Sequence, residues 1–247
     1  MNVTTTEALE RLAHRYGLPP GSVSRLELLL DLVAQERSSI TSVRDQRAAV
    51  DVHVADSLSA LSLAVVRSAI RIADVGAGAG FPGLVLAIAL PRARVSLVES
   101  VMRKGRFLAR ATDALALGNT DVVADRVESW SAGRGRHDLV TARAVGPLPV
   151  LLEYAAPLLV PAGALVAWKG RRVAAEEADG LFAAEVLAMS PPTAHVAEPS
   201  PGAAHRTLYV STKVGSTPSR FPRRPGTARK RPLGTDHRGE SSSPANL

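Results

Sequence analysis

The chain has no cysteine, which excludes disulfides, thiolate metal sites and a thiol nucleophile. Aromatic residues occupy only 4% of its 247 positions, too few for a broad platform on which single-stranded bases could stack. No apolar run approaches the roughly 20 residues that a membrane helix requires. Met1–Thr6 lacks the basic and apolar regions of a secretory signal. The histidines, at positions 14, 53, 137, 195, 205 and 237, are scattered without metal-ligand spacing. These absences set the expectation of a cytoplasmic, monomeric protein with no metal and no membrane attachment.

What is present suits one domain with extensions: hydrophobic residues make up 46% of the chain, and its length allows a full core. The net charge of +7 is unevenly placed. Residues 214–247 hold Arg220, Arg223, Arg224, Arg229, Lys230, Arg231 and Arg238 against only Asp236 and Glu240. This tail is also rich in Pro, Gly and Ser, so it is expected to lack a packed core of its own and to be partly disordered. Its basic cluster is a candidate for phosphate contacts that weaken as salt rises.

The chemistry concentrates in Asp74-Val75-Gly76-Ala77-Gly78-Ala79-Gly80-Phe81-Pro82-Gly83. An apolar run, residues 69–73, precedes it and Leu84–Leu90 follows, so the pattern reads strand, glycine loop, helix. Glycines let such a backbone approach a ligand closely, and Pro82 suits the first turn of the helix. Loops of this build bind the nucleotide-like part of a cofactor at the carboxyl edge of a parallel sheet. Gly78, Gly80 and Gly83 also satisfy the dinucleotide pattern G-x-G-x-x-G, but there the first glycine follows the strand directly, and here Gly76 does so. Read from the strand end, D-V-G-x-G-x-G resembles motif I of S-adenosylmethionine-dependent methyltransferases. Arg94–Val98 is a second β-rich run, and Glu99 at its tip can accept hydrogen bonds from ribose hydroxyls in either cofactor class.

Upstream, Thr6 is a candidate cap for a helix carrying Leu9, Leu12 and Ala13. Pro19-Pro20-Gly21 separates it from a second helix that starts near Ser22 or Ser24 and carries Leu26 to Val33. Residues 47–68 mix helical spacing with the polar group His53, Asp56 and Ser57. Residues 1–68 are therefore expected to form a helical cap in front of the core at 69–213. Downstream the chain alternates: a helix over 103–117, a strand over 120–124, a strand over 137–142, a helix over 147–159, a strand over 163–168, a helix over 172–187, then 193–196 and 206–212 as an antiparallel ending. The expected fold is α/β and Rossmann-like, a seven-stranded, mostly parallel sheet with the cofactor loop after the first strand.

Taken together, these segments resemble the glucose-inhibited division protein B family, the 16S ribosomal RNA guanine-N7 methyltransferases, from about Leu26 to Leu233. Asp74 to Gly83 is similar to its D-x-G-x-G-x-G-F-P-G, and the Phe-Pro-Gly ending is more specific than the glycines. Lys104–Leu108, Asp125–Glu128, Thr141–Ala144 and Trp168–Gly170 resemble its segments after the second to fifth strands. Phe221–Leu233 resembles its Y-P-R-x-x-G-x-x-x-K-x-P-L ending. Two segments depart: Ser39-Ile40-Thr41 stands where the family usually has N-L-T, and Val52 stands where its R-H-x-x-D-S-L segment has arginine.

The resemblance implies an S-adenosylmethionine cofactor and 16S rRNA within the small ribosomal subunit as partner. It implies that Gly76, Gly78 and Phe81 form the cofactor pocket with Glu99 on the ribose. Val127 and Glu128 would lie beside the adenine, and Arg143 near the methionine end or the incoming guanine. Guanine N7 carries an available lone pair, so no general base is expected. Arg143, Lys169 and His53 are candidates for positioning the substrate. Three other readings remain open from the residues: a methyltransferase acting on a small molecule or a protein, a nicotinamide-dependent oxidoreductase, and an RNA-binding protein without turnover.

Overall fold

The structure, a computed structural model, describes residues 4–36, 43, 45–199 and 206–234. Ser39-Ile40-Thr41 and residues 235–247 lie outside these.

Two helices open the chain. Helix α1 (Thr5–Tyr16) is capped by Thr4, not Thr6: the Thr4 hydroxyl accepts from Glu7 N while Glu7 reaches back to Thr4 N, a reciprocal pair that satisfies two free N–H groups. Helix α2 (Ser22–Gln35) buries Leu26, Leu29, Leu30 and Val33. The next stretch is an irregular helical run, comprising α3 (Gln46–Ala49), a wide π-turn at Val50–Ala55, α4 (Asp56–Leu58) and a 3-10 turn at Ser59–Ser62. Its side chains compete for backbone partners, with Ser57 Oγ donating to His53 O at 2.6 Å and Ser59 Oγ to Asp56 O at 2.6 Å. Such bonds bend helices. Helix α5 (Ala64–Arg67) closes the cap.

The sheet comprises β1 (Arg71–Val75), β2 (Arg94–Val98), β3 (Thr120–Val123), β4 (His137–Arg143), β5 (Leu159–Lys169), β6 (Thr193–Ala197) and β7 (Arg206–Thr212). Its order is β3-β2-β1-β4-β5-β7-β6. The pairs from β3 to β5 are parallel, and β7 runs antiparallel to both β5 and β6. The helices are α6 (Gly83–Ala89), α7 (Met102–Ala114), α8 (Leu148–Ala155), α9 (Ala174–Val186) and α10 (Thr227–Lys230).

Further boundaries differ from the sequence reading. Pro82 is the cap residue before α6, not part of its first turn. Helix α8 ends at Ala155, and β5 begins at Leu159, well before Gly163; the apolar run there serves helix and strand alike, so periodicity does not divide it.

One hydrophobic cluster joins the cap to α6, α7 and one face of the sheet, including Leu9, Leu26, Leu58, Leu84, Leu97 and Leu108. A second fills the other face beneath α8 and α9, and it includes Phe221 and Ala228 of the tail. Up to Leu233, then, the tail is folded onto the core.

Candidate cofactor and substrate site

Order of the strands puts β1 beside β4, with the chain leaving in opposite directions along the sheet. Ligands of open α/β sheets bind at that point, outside the carboxyl ends of the strands. The loop after β1 is held by Asp74. This carboxylate is buried and accepts from Gly83 N at 2.9 Å and from Thr141 Oγ1 at 2.8 Å. Burial pushes its pKa up to about 6 against the opposing pull of those two bonds. A Cβ on Gly83 would meet Asp74 Oδ2 at 2.6 Å, so the glycine is what allows the carboxylate to seat.

Two glycines of the loop do different work. Gly76 has φ +71, and a Cβ there would meet Val145 Cγ2 at 2.4 Å. Gly78 has φ +59, but its nearest neighbour for a Cβ is Gly76 O at 3.7 Å. Gly76 is thus required by the protein's own packing, whereas Gly78 faces open space. Its N–H donates to Glu99 Oε2 at 3.0 Å, and Glu99 Oε1 accepts from Val101 N at 2.8 Å. Two backbone bonds fix this buried carboxylate at the tip of β2.

A cleft runs from there along Val75, Gly76, Val98, Ser100, Asp125, Arg126, Val127, Glu128, Val145, Tyr154 and Arg229. Gly76, Val127 and Glu128 therefore come together. Glu128 Oε1, however, accepts from Gly226 N of the tail at 2.8 Å. Tyr154 is pushed up to about 12 by burial and by the charge of Glu128.

Phe81 does not line this cleft. It is buried, its ring stacked on His53 with centroids 4.5 Å apart, and Arg143 lies 5.5 Å above it. Phe81 is the floor beneath the second group of residues.

That group lines a cleft of about 340 Å³ formed by Val52, His53, Asp56, Arg143, Ala144, Trp168, Lys169, Gly170 and Arg206. Arg143 Nη1 donates to Asp56 Oδ2 at 2.8 Å and to Val52 O at 3.2 Å, and its Nη2 lies 3.3 Å from His53 Nδ1. Arg206 Nε stands 3.0 Å from the other oxygen of Asp56, a charge contact without an aligned hydrogen bond. Trp168 Nε1 donates to Asp56 O at 3.0 Å. Burial and the Arg143 charge lower His53 to about 4, so it is neutral at physiological pH. Lys169 donates to Gly146 O at 3.1 Å and pairs with Glu176 at 2.6 Å.

The two clefts share the loop after β4. Ala144 has φ +57, a backbone region that costs a non-glycine residue about 1 kcal/mol or more. Around this turn Arg143 lines one cleft and Val145 the other. A larger cavity, about 610 Å³, lies between the end of α1, residues 59–67 and β6, and contains none of these residues.

Sequence reasoning missed Arg206 altogether and gave Asp56 no role beyond its polar neighbourhood. Arg206 opens an edge-proximal strand with no motif around it, so no local signal marks it. Asp74 stood in the quoted glycine motif; its structural task follows only from the proximity of Thr141.

Comparison with known proteins decides the family. Residues 23–198 match the family described as rRNA small subunit methyltransferase G. The chain belongs to that family. Ribosomal RNA small subunit methyltransferase G of Rubrobacter xylanophilus is 39% identical over 241 residues, covering 92% of this chain and 90% of the relative. The protein of the same name from Chloroflexus aggregans is 39% identical over 210 residues, covering 82% and 85%. A solved S-adenosylmethionine-dependent methyltransferase from Aquifex aeolicus superposes with a TM-score of 0.51 at 15% identity, over 68% of this chain and 93% of that one, a likeness of fold. As a member of the methyltransferase G family, the chain is an S-adenosylmethionine-dependent rRNA methyltransferase. Its residues fit the cofactor: Gly78 offers an approach that a Cβ would fill, and Glu99 offers a fixed acceptor beside it.

Proposed function

We propose that this protein methylates N7 of a guanine in 16S ribosomal RNA of the small ribosomal subunit. The cofactor would lie in the cleft of Gly76, Val127 and Glu128 and extend to Gly78 and Glu99 beside it, and the guanine in the cleft of His53, Arg143 and Lys169. The observation that carries this reading is the junction of the two clefts at one loop, Arg143–Val145, with a basic base-sized cleft on one side and the glycine cleft on the other.

When bound, the cofactor supplies an electrophilic methyl group on a sulfonium. The protein's own contribution is alignment, which requires reacting atoms about 3–3.5 Å apart. Guanine N7 loses no proton before it attacks, so no side chain has to act as a base. His53, neutral and stacked on Phe81, suits the wall of a base pocket. Arginine can donate two bonds to the O6/N7 edge of guanine, but a bond to N7 would occupy the attacking lone pair. Arg143, already committed to Val52 O and Asp56, suits a contact to O6, a phosphate or the cofactor carboxylate. The exposed Arg224 and Arg231 suit RNA phosphates.

The test is transfer of labelled methyl to small subunits from cells lacking this protein, with naked 16S RNA and subunits from normal cells as controls. Label in 7-methylguanosine, confined to the unmodified subunits, is expected. Cofactor binding without such label would overturn the substrate assignment and redirect the reading to a small molecule or a protein.

A further inference from the structure

The basic tail returns to the cofactor cleft and is seated there by groups that have no reason to be buried otherwise. Arg223 clamps Glu153, a carboxylate whose side chain is 1% exposed, with Nε at 2.9 Å from Oε1 and Nη2 at 2.5 Å from Oε2. Phe221 and Ala228 are buried in the core beneath. Gly226, at φ +81, donates its N–H to Glu128. The chain then enters α10, where Arg229 Nη2 donates to Val145 O at 2.8 Å. Arg229 thereby lines the same cleft as Gly76, Val98 and Asp125–Glu128.

A segment used only as a loose electrostatic arm for RNA needs none of these anchors. Among the described residues the buried Glu153 carboxylate accepts hydrogen bonds from Arg223 of the tail, and such a pairing commits stability to holding the segment down. The acid expected beside the adenine, Glu128, uses one oxygen to hold the strap. Arg229 lines the cleft beside the residues that follow β2 and β3, and its guanidinium reaches the loop after β4. A planar guanidinium can stack on an adenine face or donate to its ring nitrogens.

We infer that residues 217–234 form the outer wall of the cofactor pocket and that Arg229 contacts the nucleoside part of the bound cofactor. The inference rests on the cofactor cleft proposed above. It makes the tail part of the cofactor site independently of any RNA it touches. The strap also ties Val145, on the loop that separates cofactor from guanine, to cofactor occupancy.

Removing the whole strap would withdraw Phe221 and Ala228 from the core and risks unfolding, so the test uses point variants of the full chain without RNA. S-adenosylhomocysteine affinity is measured by calorimetry for the wild type, Arg229→Ala and Glu99→Ala. Arg229 is exposed, so its variant is expected to melt at the wild-type temperature without ligand while binding about five- to twentyfold more weakly. Glu99→Ala is expected to lose at least about tenfold. Wild-type affinity in Arg229→Ala with a loss in Glu99→Ala overturns the role of Arg229 and leaves the cleft standing. Wild-type affinity in both overturns the cleft itself. As a second readout, trypsin cleavage after Arg229 and Lys230 is expected to slow at saturating S-adenosylhomocysteine. Unchanged cleavage at these sites would overturn the placement of the strap as a pocket wall.

Discussion

Arg143 Nη1 lies 2.8 Å from Oδ2 of Asp56, a residue whose side chain is only 2% exposed. This pair joins the end of β4 to the N-terminal cap across the cleft proposed for guanine. Removing one member leaves a buried charge short of its partner, which costs about 3–5 kcal/mol in comparable buried pairs; Arg206 remains beside Asp56, so the lower end applies. Arg143→Met is expected to destabilise the protein by about 3 kcal/mol, and adding Asp56→Asn is expected to restore much of that. Chemical denaturation of the two single variants and the double variant measures the coupling. Additive losses would mean that the pair is not energetically linked.

Gly78 and Gly76 predict different defects. An alanine at Gly78 meets nothing closer than 3.7 Å but must hold φ +59, a cost of about 1 kcal/mol. Gly78→Ala is therefore expected to fold with a small drop in melting temperature and to lose most of its S-adenosylhomocysteine affinity. Gly76→Ala drives a methyl into Val145 and is expected to destabilise the ligand-free protein more. Equal melting losses in the two variants, with affinity retained in Gly78→Ala, would contradict this division.

Asp74 gives the stability a pH dependence of known sign. Its pKa is raised from 3.8 to about 6 by burial, so the folded state binds a proton more readily than the unfolded state in that interval. Its contribution is present at low pH and is lost as pH rises through about 6, by up to about 3 kcal/mol. Asp74→Asn lacks this loss. The unfolding free energy of the wild type relative to Asp74→Asn should fall between pH 4.5 and 7.5; a constant difference would show that Asp74 does not titrate in this window.

His53 shows the opposite sign. Held near 4 by burial and by Arg143, it stabilises the fold above about pH 6.5, and that contribution disappears as pH falls towards 4. Since no base is required, the single-turnover methylation rate should vary less than about twofold from pH 6 to 8.5. His53→Asn is expected to lower the rate while leaving the profile flat. A unit slope that vanishes in this variant would overturn both the low pKa of His53 and its assignment as a pocket wall.

Much of this was legible in the sequence, for local reasons. The alternation of β-rich runs with helical spacing gave the seven strands, and Gly76, Gly78 and Glu99 sit where a strand end and its neighbour must meet. The errors have different causes. Thr4 outcompetes Thr6 through a local signal, Glu7 three residues after it, whereas β5 starts early because Leu159 pairs with His137 of β4 ahead of a register shift. Phe81 packs on His53 because the π-turn brings that histidine across. Nothing in the composition of residues 217–234 signals that Glu153 waits for Arg223 or Glu128 for Gly226, since a partner far away in sequence leaves no local trace.

Asp56 also bears on the order in which the protein can be made. It is synthesised early, but its carboxylate faces Arg143 of β4 and Arg206 of β7, and its backbone carbonyl accepts from Trp168 Nε1 of β5. While the chain is emerging, residues 46–62 carry a carboxylate that no folded cap can bury. Native seating of this segment has to await the last strand, so the cap, first to leave the ribosome, is among the last parts to become rigid.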